Sequence, residues 1–324
     1  MSSPTEELAA AVARGDRAAL GRAITLVEST APADRAHASD LLVRLRPRAD
    51  ALRLGVTGVP GAGKSTFLEA LGTTLTGRGL RVAVLAVDPS SERSGGSILG
   101  DKTRMPRLGR DPRAFVRPSP SGGALGGVAG RTREALRVCE AAGFDVVVVE
   151  TVGVGQSETA VASMVDTFLL LWLPSSGDEL QGIKRGIIEL ADVVVVNKAD
   201  GERATAAQRA AAEVSAALRY LAPTHPRWTT PVLTASALEG HGIREVWSAI
   251  EAHRATLESD GALGQRRAEQ EVRAMWRAVD AEIVRRARVA PALTAASAAL
   301  EADVRAGTLP ASVAAERLLA ASCP

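Results

Sequence analysis

RLGVTGVPGAGKSTFLEALGTTL, residues 53–75, decides the fold. It opens with a short apolar run, RLGVTG (53–58), and closes with a helix-forming stretch, STFLEALGTTL (65–75). Between them GVPGAGKS (58–65) matches G-x-x-x-x-G-K-[ST] at Gly58, Gly63, Lys64 and Ser65. Glycines in such a turn let successive backbone N–H groups point inward, and the helix N-terminus adds partial positive charge. Pro60, Gly61 and Ala62 complete the loop, and Thr66 follows it. The combination predicts a cradle for nucleotide phosphates, with Lys64 bridging the β- and γ-phosphates and the Ser65 hydroxyl on Mg²⁺. The plainer alternative is a tight strand-to-helix connection with no ligand; the Lys-Ser pair in this context argues against it.

Similar apolar runs follow at intervals: RVAVLAVD (81–88), DVVVVE (145–150), DTFLLLWL (166–173), DVVVVNK (192–198) and PVLTAS (231–236). Runs without polar alternation suit a parallel sheet covered by helices on both faces. Residues 49–256 are therefore expected to form a doubly wound, mostly parallel α/β domain. Ligands in such sheets bind at the carboxyl ends of the strands. Residues 1–48 read as a helical extension, with a turn at Gly15-Asp16, Asp16 as an N-cap, and Leu20, Ile24 and Val27 on one face. Residues 257–324 read as helical again, with a final short helix starting at Leu309-Pro310. In EQEVRAMWRAVDAEIVRR (269–286), Val272, Met275, Trp276, Val279 and Ile283 form an apolar stripe, which packs either on the chain's own core or on a second subunit.

The chain has 324 residues and a formal charge of +2, which gives no basic field for nucleic acid or a membrane surface. Two scattered cysteines, Cys139 and Cys323, fit a reducing cytoplasm better than a disulfide framework. The first residues carry early acids and no apolar core of a signal peptide, and the longest apolar runs are too short to span a bilayer. The expectation is a soluble cytoplasmic protein.

NKAD (197–200) ends one apolar run, and TASALEG (234–240) ends another. A carboxylate at Asp200 can accept hydrogen bonds from guanine N1–H and the exocyclic amine, which adenine does not offer there, so such a site discriminates strongly. Asn197 would face the O6/N7 edge and the Lys198 stem would lie over the base. Backbone N–H groups of Ser236 and Ala237 would face O6. After a phosphate cradle, these cues predict GTP and GDP as ligands.

DVVVVETVGVGQSE (145–158) delivers a carboxylate, Glu150, to the mouth of a glycine-containing loop. The run acts as a rigid post holding Glu150 near the metal, and the Gly153 N–H can bond the γ-phosphate. Loss of that phosphate would release the loop 151–158. Asp88, at the end of RVAVLAVD, and Asp101, in GDKTRM, compete with Glu150 for Mg²⁺; both are placed near the metal and γ-phosphate, Asp88 somewhat ahead of Asp101, and the sequence ranks them no further. Ras-like enzymes place a water-orienting Gln directly after the glycine; here that position is Val154, with Gln156 two residues on. Slow intrinsic hydrolysis, raised by a partner, is the expectation.

GVPGAGKST, VDPSS, GDKTRM, RPSPSGGALGGVA, ETVGVGQSE, PSSGDELQGIKRGI and NKAD occur in that order. Together with GDRAALGRAITLVES they closely resemble the MeaB/ArgK family of P-loop GTPases, relatives of the human methylmalonic aciduria type A protein, over about residues 7–285. The resemblance implies a homodimeric G-protein chaperone, joined through C-terminal helices, for an adenosylcobalamin-dependent acyl-CoA mutase, with methylmalonyl-CoA mutase foremost. It places Asp88, Asp101 and Glu150 at the metal and Lys184, in SGDELQGIKRGI (176–187), in a loop that senses the mutase. The tail after Arg288 departs from the family in being short and Ala-rich, which bears on dimer geometry. Three other readings compete, one of them a purely binding switch without turnover. A metallochaperone GTPase needs soft or imidazole ligands, and the four histidines are dispersed with no Cys pair. A kinase linked to transport needs an acceptor pocket with a general base, and no second constellation supplies one.

Overall fold

The computed structural model describes residues 3–88, 105–120, 125–151, 157–174 and 185–322. Three helices come first: α1 Pro4–Ala13, α2 Arg17–Glu28 and α3 Pro32–Arg44. The sheet strands are β1 Leu52–Gly58, β2 Val82–Asp88, β3 Ala114–Pro120, β4 Val146–Glu150, β5 Thr167–Trp172, β6 Val193–Val196 and β7 Val232–Thr234. Interleaved with them are α4 Lys64–Gly77, α5 Leu125–Ala141, α6 Ser157–Ala162, α7 Arg185–Ile188 and α8 Ala204–Leu218. The chain continues through α9 Ile243–Ser259, α10 Ala262–Val289, α11 Pro291–Arg305 and α12 Ala311–Ser322. No helix among the described residues is long and apolar enough to cross a membrane.

All neighbouring strands pair in parallel, in the order β3-β2-β4-β1-β5-β6-β7. The six apolar runs read from sequence each contain a strand. β3 is the seventh, and it is an edge strand: AFVRPSP carries two prolines, which lack the N–H that a central strand must donate.

The strands alternate their side chains between two buried layers. Leu54, Val56, Val84, Val148, Leu169 and Val195 pack with Phe67 and Leu71 of α4 and Ile250 of α9. Leu85, Val147, Val149 and Phe168 face the other way, onto Leu20 and Ile24 of α2 and Leu136 of α5. Each fully buried Leu or Phe here contributes about 1.5–3 kcal/mol. Asp16 caps α2 as its sequence predicts, accepting from the Ala19 N–H at 2.6 Å. Helix α3 follows α2 within the region expected to be helical.

The amino ends of three strands share one device. Asp145, Asp166 and Asp192 each stand just before a strand and accept a backbone N–H from a neighbouring one: Arg81 at 2.7 Å, Arg53 at 2.8 Å and Phe168 at 2.8 Å. Each carboxylate also meets an arginine. Arg48 reaches Asp145 at 2.8 Å, Arg267 grips Asp166 at 2.6 and 2.8 Å, and Arg266 stands 3.5 Å from Asp192. Arg53 and Glu140 add a buried two-bonded ion pair at 2.6 and 3.0 Å. His253, fully buried, shares a 2.8 Å hydrogen bond with the Thr167 hydroxyl through Nδ1 and lies 3.4 Å from Asp192 through Nε2.

The chain divides into two compact units, Met1–Gln270 and Glu271–Pro324. The first holds the sheet and its covering helices; in the second, α11 packs against α12. Val272, Met275, Trp276, Val279 and Ile283 are all exposed, Trp276 by 58%.

Candidate functional site

The strongest signal in the sequence lies at the carboxyl end of the central strand. β1 ends at Gly58, whose φ is 154°; a Cβ there would come within 2.5 Å of the Leu171 carbonyl oxygen on β5. The loop then tightens through a turn in which the Ala62 N–H donates to the Val59 carbonyl at 3.0 Å. At Gly63, φ is 82° and an added Cβ would lie 2.8 Å from the Asn197 amide nitrogen. Only glycine fits that approach. Helix α4 starts at once, so its first N–H groups and its positive end face the loop. Pro60, Gly61 and Thr66 are exposed at the rim, while Ala62 is buried.

Lys64 opens α4 and is 91% buried, its exposure being 9%. Its ammonium donates to the Gly58 carbonyl at 2.6 Å and the Val59 carbonyl at 3.3 Å, spanning the loop. Burial lowers its pKa, and the carboxylates of Glu150 and Glu158 pull it back up. The Ser65 hydroxyl donates to Glu150 Oε1 at 3.2 Å. The sequence separates these two residues by 85 positions, and the pairing of β4 beside β1, with Val56 opposite Glu150, brings them together. A hydroxyl and a carboxylate side by side are hard oxygen donors, the set that Mg²⁺ prefers. Asp88 closes β2 two residues beyond the rung that joins Ala86 to Glu150. Its side chain lies outside the described residues, as do Asp101, Gly153 and Lys184 altogether.

The second half of the site is carried by β6 and β7. Asn197 is 1% exposed, and its amide joins three loops. Nδ2 donates to the Ala62 carbonyl of the phosphate loop at 2.8 Å, and Oδ1 accepts from the Ala237 N–H at 3.2 Å. Lys198 adopts a φ of 62°, the left-handed region, alone among the described non-glycine residues. The Ser236 hydroxyl donates to Asp200 Oδ2 at 2.7 Å and accepts from the Glu239 N–H at 3.1 Å. The Ser236 N–H is committed to the His241 carbonyl at 3.0 Å. That differs from the expectation that the Ser236 and Ala237 N–H groups face a base: the tight turn 236–241 uses the first, and Asn197 Oδ1 accepts from the second.

Two features went unread in the sequence. Glu158, first turn of α6, is 2% exposed and acts electrostatically on Lys64. Its only cue was its place at the end of the acid-bearing loop. The second is a pair of hydroxyls: Thr151 donates to Thr57 Oγ1 at 2.7 Å, both side chains being buried. Parallel register alone reveals that these two threonines are neighbours.

Comparison with known proteins agrees with this architecture. The family model described as "Methylmalonyl Co-A mutase-associated GTPase MeaB" matches residues 20–292. A probable GTPase of Mycobacterium tuberculosis is 56% identical over 313 residues, covering 96% of this chain and 93% of its own. The mouse protein named methylmalonic aciduria type A homolog, mitochondrial, is 45% identical over 327 residues, covering 98% of this chain and 79% of its own. A crystal structure titled as an LAO/AO transport system kinase superposes with a TM-score of 0.77 at 40% identity, covering 98% of each chain. The chain belongs to the MeaB family of methylmalonyl-CoA mutase-associated GTPases.

Proposed function

We propose that this GTPase binds GTP with Mg²⁺, hydrolyses it slowly on its own, and uses the difference between GTP and GDP states to govern cofactor loading and protection of an adenosylcobalamin-dependent acyl-CoA mutase. Methylmalonyl-CoA mutase is the first candidate, in keeping with the family's description. The observation that carries the reading is Asn197, whose one amide ties the phosphate loop at Ala62 to the two loops bearing Asp200 and Ala237. A phosphate cradle and a guanine-reading carboxylate are thereby held in one rigid frame.

In that frame the loop N–H groups and Lys64 take the phosphates, Lys64 exchanging carbonyl partners for phosphate oxygens. Ser65 and Glu150 would hold the metal, with Asp88 and Asp101 as further acids from the sequence. Bound Mg²⁺ would neutralise charge on the phosphate oxygens. Asp200, fixed by the Ser236 hydroxyl, accepts from guanine, and the Lys198 stem covers the base. Gly153 and Lys184 are assigned to γ-phosphate sensing and to communication with the mutase. Residues 257–324 would form the dimerisation region, which the exposed Val272, Met275, Trp276, Val279 and Ile283 support. Two scattered cysteines fit a cytoplasmic setting.

The test is co-purification of the full chain with candidate cobalamin mutases, with a non-hydrolysable GTP analogue and with GDP. Nucleotide-dependent capture and a mutase-stimulated single-turnover rate are expected. Equal capture in both states, or fast hydrolysis by the chain alone, overturns the reading. The solved relative titled as a kinase favours one further control: labelled GTP with protein and small-molecule acceptors. Phosphate appearing on an acceptor in preference to water would support the kinase.

A further inference from the structure

The last rung between β1 and β4 is made by side chains as well as by backbone. Val56 stands opposite Glu150 in the register, and the Thr151 N–H donates to the Val56 carbonyl at 3.0 Å. One residue on, the Thr151 hydroxyl meets the Thr57 hydroxyl at 2.7 Å, each side chain only 1% exposed. Directly after Thr57 the phosphate loop begins at Gly58; directly after Thr151 begins the stretch that leads from Glu150 to α6. This rung is therefore the final described contact shared by the strand that feeds the cradle and the strand that feeds the acid.

A Val–Val pair of the same shape would fill this place about as well, because replacing both partners of a buried hydrogen bond by apolar isosteres is nearly neutral. What valines would lose is direction. Dispersion contacts let two strand ends slide or twist by some tenths of an ångström, whereas a hydroxyl pair holds one distance and one angle. The Ser65–Glu150 contact, at 3.2 Å, depends on the same two strand ends staying level. Val56 and Glu150 point to the α4 side of the sheet, so the threonine pair braces the rung from the opposite face.

We propose that the Thr57–Thr151 hydroxyl pair is the pin that sets the spacing of the phosphate loop and the Glu150 carboxylate, which makes Thr151 a positioning residue for the Mg²⁺-bound triphosphate. The inference rests on the reading of this site as the GTPase centre. It predicts a separation of effects. GDP held through the phosphate loop and the base needs the pin little; GTP held with Mg²⁺ needs it most.

The experiment uses the full chain carrying the double substitution Thr57→Val with Thr151→Val, alongside Thr151→Ser. Calorimetric binding of a non-hydrolysable GTP analogue and of GDP is measured across a Mg²⁺ titration, with thermal midpoints and amide exchange at residue 151. The double valine variant is expected to keep its thermal midpoint and GDP affinity. It should need about fivefold more Mg²⁺ for analogue binding, the weight of one buried neutral hydrogen bond, and exchange faster at residue 151. Thr151→Ser, which keeps the hydroxyl, should keep the Mg²⁺ requirement of the unsubstituted chain. An unchanged Mg²⁺ requirement in the double variant, or an equal loss for GDP and analogue, overturns the proposal. Failure of the unsubstituted chain to bind the analogue with Mg²⁺ overturns the functional reading instead.

Discussion

The two ends of the sheet use the same residue types for opposite purposes. At the amino ends, Asp145, Asp166 and Asp192 are closed in by backbone N–H groups and arginines, and Asp166 and Asp192 are fully buried. At the carboxyl ends the direct contacts are with small polar groups and loop backbone: Lys64 donates to carbonyls while feeling the charge of Glu150 and Glu158, the Ser65 hydroxyl donates to Glu150, and the Ser236 hydroxyl donates to Asp200. A carboxylate held by arginine and amide has little to gain from a ligand. A carboxylate that accepts from a serine hydroxyl can exchange that hydroxyl for a ligand at smaller cost than it could give up an arginine. Charge count does not mark a binding site; the quality of the existing partners does.

The largest effect expected from breaking this contrast is at Lys64. Lys64→Ala should lower GTP affinity and turnover about a hundredfold or more, the scale of losing a charged donor to a transition state. Its thermal midpoint should stay near that of the parent chain, as read by calorimetry and by differential scanning. A large fall in stability with intact GTP binding would reverse the roles of the two ends.

Arg267→Ala tests the other end. Removing the bidentate partner of fully buried Asp166 should destabilise the fold by about 3 kcal/mol, measured by urea unfolding. GTP affinity should remain within about twofold, because distant sites act independently.

The smallest effect sharpens the picture at His253. Burial holds its imidazole below the ordinary value of 6.5, against the pull of Asp192. The unfolded chain therefore takes up that proton first as pH falls. Its contribution to stability is complete above about pH 6.5 and declines as pH drops towards the depressed folded value. His253→Gln should flatten the fall in thermal midpoint between about pH 7.5 and 5.5 by a degree or two. Taking the difference between the two proteins cancels the opposite slope of Glu134, whose carboxyl burial raises to about 7.

Much of this was legible in the residues. Unbroken apolar runs such as VVVV at 146–149 and 193–196 read as strands covered on both faces, which they are, and the glycine spacing at 58–63 read as a cradle between strand and helix, where the loop is found. β3 escaped notice because Pro118 and Pro120 mask an edge strand as a loop. The amino-end braces were hidden for another reason. Asp166 and Arg267 are 101 positions apart, and nothing local marks an aspartate that will receive an arginine from a distant helix. The same holds for Thr57 and Thr151, 94 apart, whose meeting depends on strand order. Ser236 was read for its backbone N–H, which the turn closing on His241 takes, while its hydroxyl donates to Asp200.

Lys198 holds its backbone at a φ of 62°, where a side chain raises the energy by about 1–2 kcal/mol relative to glycine. The chain bears that burden during folding, before any nucleotide arrives. If the Lys198 stem covers the base as proposed, a backbone bent in advance has less freedom left to lose at the moment of capture.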